Sequence, residues 1–287
     1  MTSSSDQMHE KVCVVTGANS GIGRTTVLGL ARMGATVVLV CRSRTRGEEA
    51  RAAIRQSSGS DLLDLMLADL SSQAEIRRLG QELLARYPQI HVLVNNAGVL
   101  NVRRSTTVDG IETVFAVNHL AYFLLTHLLL ERLRESGHGR IVNVASDAHQ
   151  FGKLDFNDLQ NQRHYRFMQV YGQSKLCNIL FTRELAPRIA GTGVSANCLH
   201  PGTVATRLGQ NNGWLAVLIS KALTPVLCTV EQGARTSIYL AASPAVEGVS
   251  GKYFRDCQEA QPSPAAQDEE AAKRLWRMSA ELTGLTA

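Results

Sequence analysis

Six short runs of β-branched and aliphatic residues, at 12–15, 36–40, 62–68, 92–94, 141–144 and 194–198, recur along the chain with longer segments of helical period between them. Parallel strands need a crossover long enough to hold a helix, so this alternation is the signature of βαβ units. The runs are nearly continuous in apolar residues, as strands covered on both faces should be. Helix candidates fill 21–33, 45–56, 71–86, 109–136, 167–190 and 229–242, and Ser71, with Ala74 and Glu75 behind it, reads as an N-cap before an acidic first turn. A doubly wound parallel sheet with helices on both faces is the expected architecture.

No Pro/Gly/Ser-rich linker and no repeat of fixed period divides the 287 residues. The chain therefore reads as a polar N-terminal tail at 1–10, one body at 11–258 and a C-terminal appendage at 259–287, in which the low-complexity QPSPAAQDEEAAKR precedes a short amphipathic helix. With 44% hydrophobic and 19% charged residues the composition is that of a soluble globular protein, which disfavours disorder and fibrous repeats. A net charge of +5 is too modest to make a nucleic-acid or membrane-surface binder by itself. The longest apolar stretch, 120–130, is interrupted by Thr126 and His127 and falls short of the ~20 residues a bilayer crossing needs, so no integral membrane segment is expected. The opening MTSSSDQMHE lacks the basic flank and apolar run of a secretion signal, and a cytoplasmic location follows as the expectation. Six cysteines without any C-x-x-C pair read as buried free thiols, and His119, His127, His149 and His200 have no ligand spacing that would make a metal site.

After the first run stands Thr16-Gly17-Ala18-Asn19-Ser20-Gly21-Ile22-Gly23. In this T-G-x-x-x-G-x-G arrangement Gly17 permits a tight turn, Gly21 lets the backbone approach a pyrophosphate and Gly23 lets the helix pack near the sheet. The first amides of that helix then face the phosphates. A lone glycine pattern also marks ordinary turns, but a strand before it and a helix after it make it a dinucleotide cradle. The body is thus expected to be a single Rossmann-like α/β domain. At the end of the second run, Val40-Cys41-Arg42-Ser43-Arg44 offers no carboxylate to an adenosine ribose, whereas Arg42 presents a planar fork to a 2′-phosphate, favouring NADP(H) over NAD(H).

Tyr171 and Lys175 lie four apart in a helical pattern and so share a face. A phenol titrates near 10, and an adjacent cation favours its ionised form, which makes Tyr171 a candidate general acid/base. Such a pair alone also decorates ordinary helix surfaces. Ser146, just past the fifth run, falls at the carboxyl end of the sheet, where open α/β folds bind ligands.

Thr16 to Gly23, Asn95-Asn96-Ala97-Gly98, Ser146, Tyr171-Gly172-Gln173-Ser174-Lys175 and Pro201-Gly202 together resemble the short-chain dehydrogenase/reductase family, in order and over about 250 residues. The separation of 25 from Ser146 to Tyr171, the run from Ser174 to Leu185 and His200-Pro201-Gly202 resemble its retinol dehydrogenase branch. The resemblance implies that Tyr171 protonates a carbonyl oxygen, that Ser146 hydrogen-bonds the same oxygen, and that Lys175 holds the nicotinamide ribose and lowers the tyrosine pKa. It implies that Asn118 anchors a water for proton relay. It further implies coenzyme contacts from Gly17, Asn19, Ser20, Gly21, Ile22 and Gly23 at the phosphates, and from Asp69 and Leu70 near the adenine. Asn95, Ala97 and Gly98 would line the adenosine side, with Pro201, Gly202, Val204 and Thr206 at the carboxamide. His91 departs from the acid that relatives often carry at that strand.

Between Ser146 and Tyr171, the residues Phe151, Leu154, Phe156, Leu159, Tyr165, Phe167 and Met168 are enough apolar surface to roof a pocket for a bulky lipophilic carbonyl or alcohol. They serve equally to pin the loop to the body. Retinal-like aldehydes, other lipophilic aldehydes and ketones, and steroids all fit. Trp214, within 213–219, falls where the family keeps a mobile substrate lid. A non-catalytic dinucleotide sensor is the alternative from another class, and the intact Tyr171 and Lys175 favour an enzyme. Helices 109–136 and 167–190 are expected to bury a face against a second subunit in a homo-oligomer.

Overall fold

The computed structural model describes residues 7–202 and 228–286. Eight strands form one sheet in the order β3-β2-β1-β4-β5-β6-β7-β8. They are β1 (Val12–Thr16), β2 (Thr36–Cys41), β3 (Leu63–Leu67), β4 (Val92–Asn95), β5 (Arg140–Val144), β6 (Ser195–His200), β7 (Tyr253–Arg255) and β8 (Gln258–Glu259). Strands β1 to β7 pair parallel, and only the short edge strand β8 runs antiparallel. The doubly wound α/β architecture expected from the alternating runs is the one observed.

The continuous apolar runs serve two cores at once. Along the strands, Cys13, Val15, Val37, Leu39, Val92 and Val94 face one core, while Val14, Val38, Val40, Leu93 and Ile141 face the other. Successive strand residues point to opposite faces, so a strand buried on both sides needs no polar alternation. On the first face lie α1 (Gly21–Arg32), α2 (Arg44–Ser58) and α6 (Val230–Ala242), contributing Val27, Leu30, Ile54 and Leu240. On the second lie α3 (Gln73–Arg86), α4 (Thr113–Glu135) and α5 (Phe167–Arg188).

The elements depart from expectation at particular places. Ser72, not Ser71, caps α3, its hydroxyl accepting from the Glu75 amide, while Ser71 turns back to bond the Asp69 carboxylate. Helix α4 begins at Thr113 rather than at 109, because Gly110 adopts a left-handed φ of 74° inside a turn. Glu112 then caps the helix by accepting from the Val114 and Phe115 amides. By length and composition α4 could cross a bilayer, contrary to the reading from 120–130 alone, but 78% of its apolar window is buried inside the protein. Of the cysteines, Cys228 is exposed and Cys257 partly so, whereas Cys13, Cys41, Cys177 and Cys198 are the buried thiols expected.

Both ends of the described chain are packed down. Met8, within the expected tail, is buried, and its amide bonds the Met33 carbonyl. The C-terminal helix α7 (Glu269–Leu282) starts inside the low-complexity stretch and docks on α4 and α5. Trp276 sits edge-on to Phe123 at 5.1 Å and lies 5.9 Å from Phe181, with the Arg188 guanidinium 4.2 Å from its ring. On these helices, part of the face expected to meet a second subunit is therefore covered by the chain itself.

Trp276→Ala removes a side chain buried between two helices of the core, and the expected loss is about 3–5 kcal/mol of unfolding free energy by urea denaturation. A loss below about 1 kcal/mol would show that α7 only rests on the surface.

Candidate active site

The strand order reverses between β1 and β4, and in open α/β sheets the carboxyl ends of the strands form a ligand crevice at such a point. The turn after β1 shows what the glycines are for. Gly17 holds a φ of 65° and a Cβ there would lie 2.8 Å from the Ala97 Cα, so both backbone conformation and space exclude a side chain. A Cβ on Gly23 would lie 2.4 Å from the Gly17 carbonyl oxygen and from Asn96 Nδ2. Asn96 straps the two loops, donating to the Thr16 carbonyl at 2.7 Å, while the Thr16 hydroxyl accepts from the Asn96 and Ala97 amides. The sequence signals this brace only in that an amide side chain beside a glycine turn can replace missing backbone bonds.

Ser20, at the N-cap of α1, makes no side-chain capping bond, and Asn19, Ser20, Gly21 and Ile22 are partly exposed. Helix α1 therefore begins with amides that no cap side chain occupies, in a cradle that added side chains would fill, which suits a pyrophosphate. Arg42 is exposed, its guanidinium 3.9 Å from the Asp69 carboxylate, and Asp69 in turn accepts from the Ser71 amide and hydroxyl. The residues present fit a dinucleotide. Leu70 is buried in the core beneath, and the Asn95 side chain turns inward, bonding Asn143 and Thr126 instead of facing the crevice. Ala97 accepts from the Tyr122 hydroxyl at 2.8 Å, and Gly98 leaves room beside Asn118 and Lys175. Pro201 and Gly202 follow β6 directly, with Gly202 at a φ of 84°, whereas Val204, Thr206 and Trp214 lie outside the described residues.

The catalytic candidates come together from three elements. Ser146 follows β5, with its hydroxyl accepting from the Ala148 amide at 3.2 Å and near enough to the Tyr171 phenol to favour its ionised form. Lys175, one turn on from Tyr171, is 3% exposed, donates to the Val144 carbonyl at 3.0 Å and lies 5.6 Å from the Tyr171 ring and 5.8 Å from that of Tyr122. Asn118 occupies a π-helical turn, 116–120, inside α4, the kind of distortion found at functional sites. Its amide bonds the Val99 carbonyl and Ser174 Oγ, and its carbonyl accepts from the Val99 amide at 2.8 Å.

Electrostatics here differ from the expectation that Lys175 lowers the tyrosine pKa. Burial pushes the Tyr171 phenol up to about 12, opposed only by the Ser146 hydrogen bond, and burial pushes the Lys175 ammonium down to about 7. A lysine near half-charged at neutrality, spending a proton on a backbone carbonyl, does little to ionise its neighbour.

Of the apolar residues between Ser146 and Tyr171, Leu159 is buried and Leu154 and Phe156 pack on the core, while Tyr165 bonds the Asn101 carbonyl. Phe151, Phe167 and Met168 are 65%, 39% and 44% exposed. The segment thus pins itself with one set and presents the other.

An open parallel sheet with a glycine cradle at its switch point, and a Ser-Tyr-Lys cluster beside it, defines the class of nicotinamide-dinucleotide oxidoreductases. The sequence matches the short chain dehydrogenase family over residues 11–213. It is 46% identical over 279 residues to retinol dehydrogenase 12 of Mus musculus, covering 97% of this chain and 88% of that protein. Among solved structures, an uncharacterised protein from Mycobacterium paratuberculosis superposes with a TM-score of 0.79 at 32% identity, covering 96% of this chain and 94% of the other. One from Beutenbergia cavernae, described as an NAD(P)-dependent gluconate 5-dehydrogenase with bound NADP, gives 0.69 at 28% identity over 88% and 97%. The chain belongs to the short-chain dehydrogenase family, in its retinol dehydrogenase branch.

Lys175 yields a test on the coenzyme-free protein. An unfolded lysine keeps its proton to about 10.5 while the folded one releases it near 7, so unfolding takes up a proton between those values. Burial thus costs stability fully below pH 7, and the cost fades as pH rises toward 10.5. Lys175→Met is expected to be more stable than the wild type at pH 7, with the advantage shrinking by pH 9.5 in urea denaturation. A pH-independent difference would refute the shift.

Proposed function

We propose that the protein interconverts a carbonyl and an alcohol on a lipophilic substrate with NADP(H), Tyr171 acting as general acid/base. What carries the reading is the buried Lys175, its ammonium 5.6 Å from the Tyr171 ring and next to Gly98, in the loop that packs against the glycine turn before α1.

In reduction, bound NADPH supplies the hydride that reaches the carbonyl carbon. Tyr171 gives its phenolic proton to the carbonyl oxygen, and Ser146 donates a hydrogen bond to the same atom. A phenol pushed up to about 12 is fully protonated at neutral pH, which is the form a proton donor needs. In this reading Lys175 bonds the nicotinamide ribose, and hydroxyl acceptors there would favour its charged form. Asn118, in its π-turn, anchors the route by which the phenolate regains a proton. The exposed Phe151, Phe167 and Met168 suit a lipophilic substrate, with retinal-like aldehydes, other aldehydes and ketones, and steroids as candidates to screen by loss of NADPH absorbance.

Tyr171→Phe is expected to lower kcat about 10²–10⁴-fold while NADPH binding persists, the range for a missing acid/base. Turnover near the wild-type rate would remove the mechanism, and a protein that binds NADPH but turns over no carbonyl even as wild type would favour the sensor. Arg42 is exposed and held only loosely by Asp69, free to pair with a 2′-phosphate. Arg42→Asp should raise the Kd for NADPH at least about tenfold more than that for NADH, since a charge-assisted fork contributes about 1.5–3 kcal/mol. Equal effects on the two coenzymes would return the choice to NAD(H).

A further inference from the structure

Ser146 does not sit on a regular element. Its backbone is extended, with φ at −170° and ψ at 156°, and it opens a single 3₁₀ turn, Asp147–Phe151. A hydroxyl meant to meet a carbonyl oxygen must be held to well within an ångström. Two imidazoles supply that hold, from opposite sides of one peptide unit. The carbonyl of Ser146 accepts from His149 Nδ1 at 2.7 Å, and the amide of Asp147, across the same peptide bond, donates to His200 Nδ1 at 3.1 Å.

These contacts dictate the tautomers. His200 uses Nδ1 as an acceptor, so its proton is on Nε2, which lies 3.4 Å from the Asp147 carboxylate. His149 must carry its proton on Nδ1 to meet a carbonyl, and its Nε2 accepts from the Ser263 amide at 3.0 Å. The two rings thus hold opposite tautomers, and each keeps one nitrogen committed to a backbone N–H. Charged and titratable groups complete the setting: Asp147, Arg255, Asp256 and His149 face His200, while Asp147 is ion-paired with Arg255 and accepts from the Tyr253 hydroxyl at 2.8 Å. Burial and Arg255 keep both imidazoles below their ordinary pKa, in the neutral form these bonds require.

We infer that His200 and His149 are positioning residues for catalysis, clamping the Ser146–Asp147 peptide unit so that the Ser146 hydroxyl points at the substrate oxygen. The inference rests on the role proposed above for Ser146, and Ser146→Ala separates the two. The clamp joins three parts of the chain, the end of β6, the turn after β5 and the segment before α7, at the mouth of the site.

His200→Asn places an amide oxygen where Nδ1 stood and retains the acceptor, whereas His200→Leu deletes it. With an aldehyde substrate and NADPH, His200→Leu is expected to lower kcat about 10- to 100-fold while KM for the aldehyde moves less than about threefold. His200→Asn should stay within about threefold of the wild type. If His200→Leu keeps kcat within twofold, or His200→Asn is as slow as His200→Leu, the clamp has no catalytic consequence. If Ser146→Ala retains full turnover, the failure lies with the serine's proposed role instead. Should the leucine variant not fold, ¹⁵N shifts of the wild-type imidazoles decide: Nε2–H for His200 and Nδ1–H for His149 support the clamp, and the reverse tautomer or an imidazolium at neutral pH overturns it.

Discussion

The middle of helix α5 has no solvent face. From Gly172 to Thr182 every residue is buried, between the sheet on one side and α4 and α7 on others. Polar groups in such a helix must each find a partner or cost about 1–3 kcal/mol. Most do: Gln173 bonds Leu159 and Asn161, Ser174 bonds Asn118 and the Tyr171 carbonyl, Lys175 bonds Val144, Thr182 bonds Asn143, and Asn178 donates to Val144 while its Oδ1 stays unpartnered. Those partners belong to the loop after β5, the π-turn of α4 and the sheet. The requirement to satisfy one buried helix therefore ties together the elements that carry Ser146, Asn118 and the strand ends.

The same requirement explains why the candidate site is preorganised before any coenzyme arrives. Asn118 is fixed by Val99 on one side and Ser174 on the other, so the π-turn cannot relax without orphaning both. Lys175 is the exception. It has one carbonyl partner and two aromatic rings, a setting in which its charge is poorly supported, and a ribose offers what the protein withholds. The instability of that charge in the free protein is a reserve that ligand binding can draw down, in the sense that active sites hold groups away from their relaxed state.

Much of this was legible in the sequence because glycine and spacing leave little freedom. Gly17 and Gly23 are demanded by close backbone approach, and the Tyr171–Lys175 spacing can only put both groups on one helix face. The buried runs likewise announced a sheet covered on both sides. What could not be read depends on contacts between distant segments. The pKa of Tyr171 follows from how deeply α5 is packed, which no local pattern reports. Asn95 stands in a recognisable motif, yet its side chain serves the interior through Asn143 and Thr126, while its neighbour Asn96 braces the phosphate turn. Ser71 and Ser72 are chemically equivalent caps, and only the bonds that Ser71 donates to Asp69 decide between them.

The C-terminal helix is the strongest case. Its start, rich in Asp, Glu and Ala, reads as low-complexity chain ahead of the helix because its charges are local and its partners are not. Trp276 meets Phe123, His127 and Phe181, and Ser279 meets His119, the residue next to Asn118 in the π-turn. Helices α4 and α5 are apolar beyond what the sheet can cover, and such a surface must be buried by something. Part of it is buried by residues more than 90 positions downstream, so the apolarity of those helices is no argument for a subunit contact there. A segment of the chain that looked peripheral is instead packed one residue away from a candidate catalytic asparagine, and that links the integrity of the C-terminus to the geometry of the site.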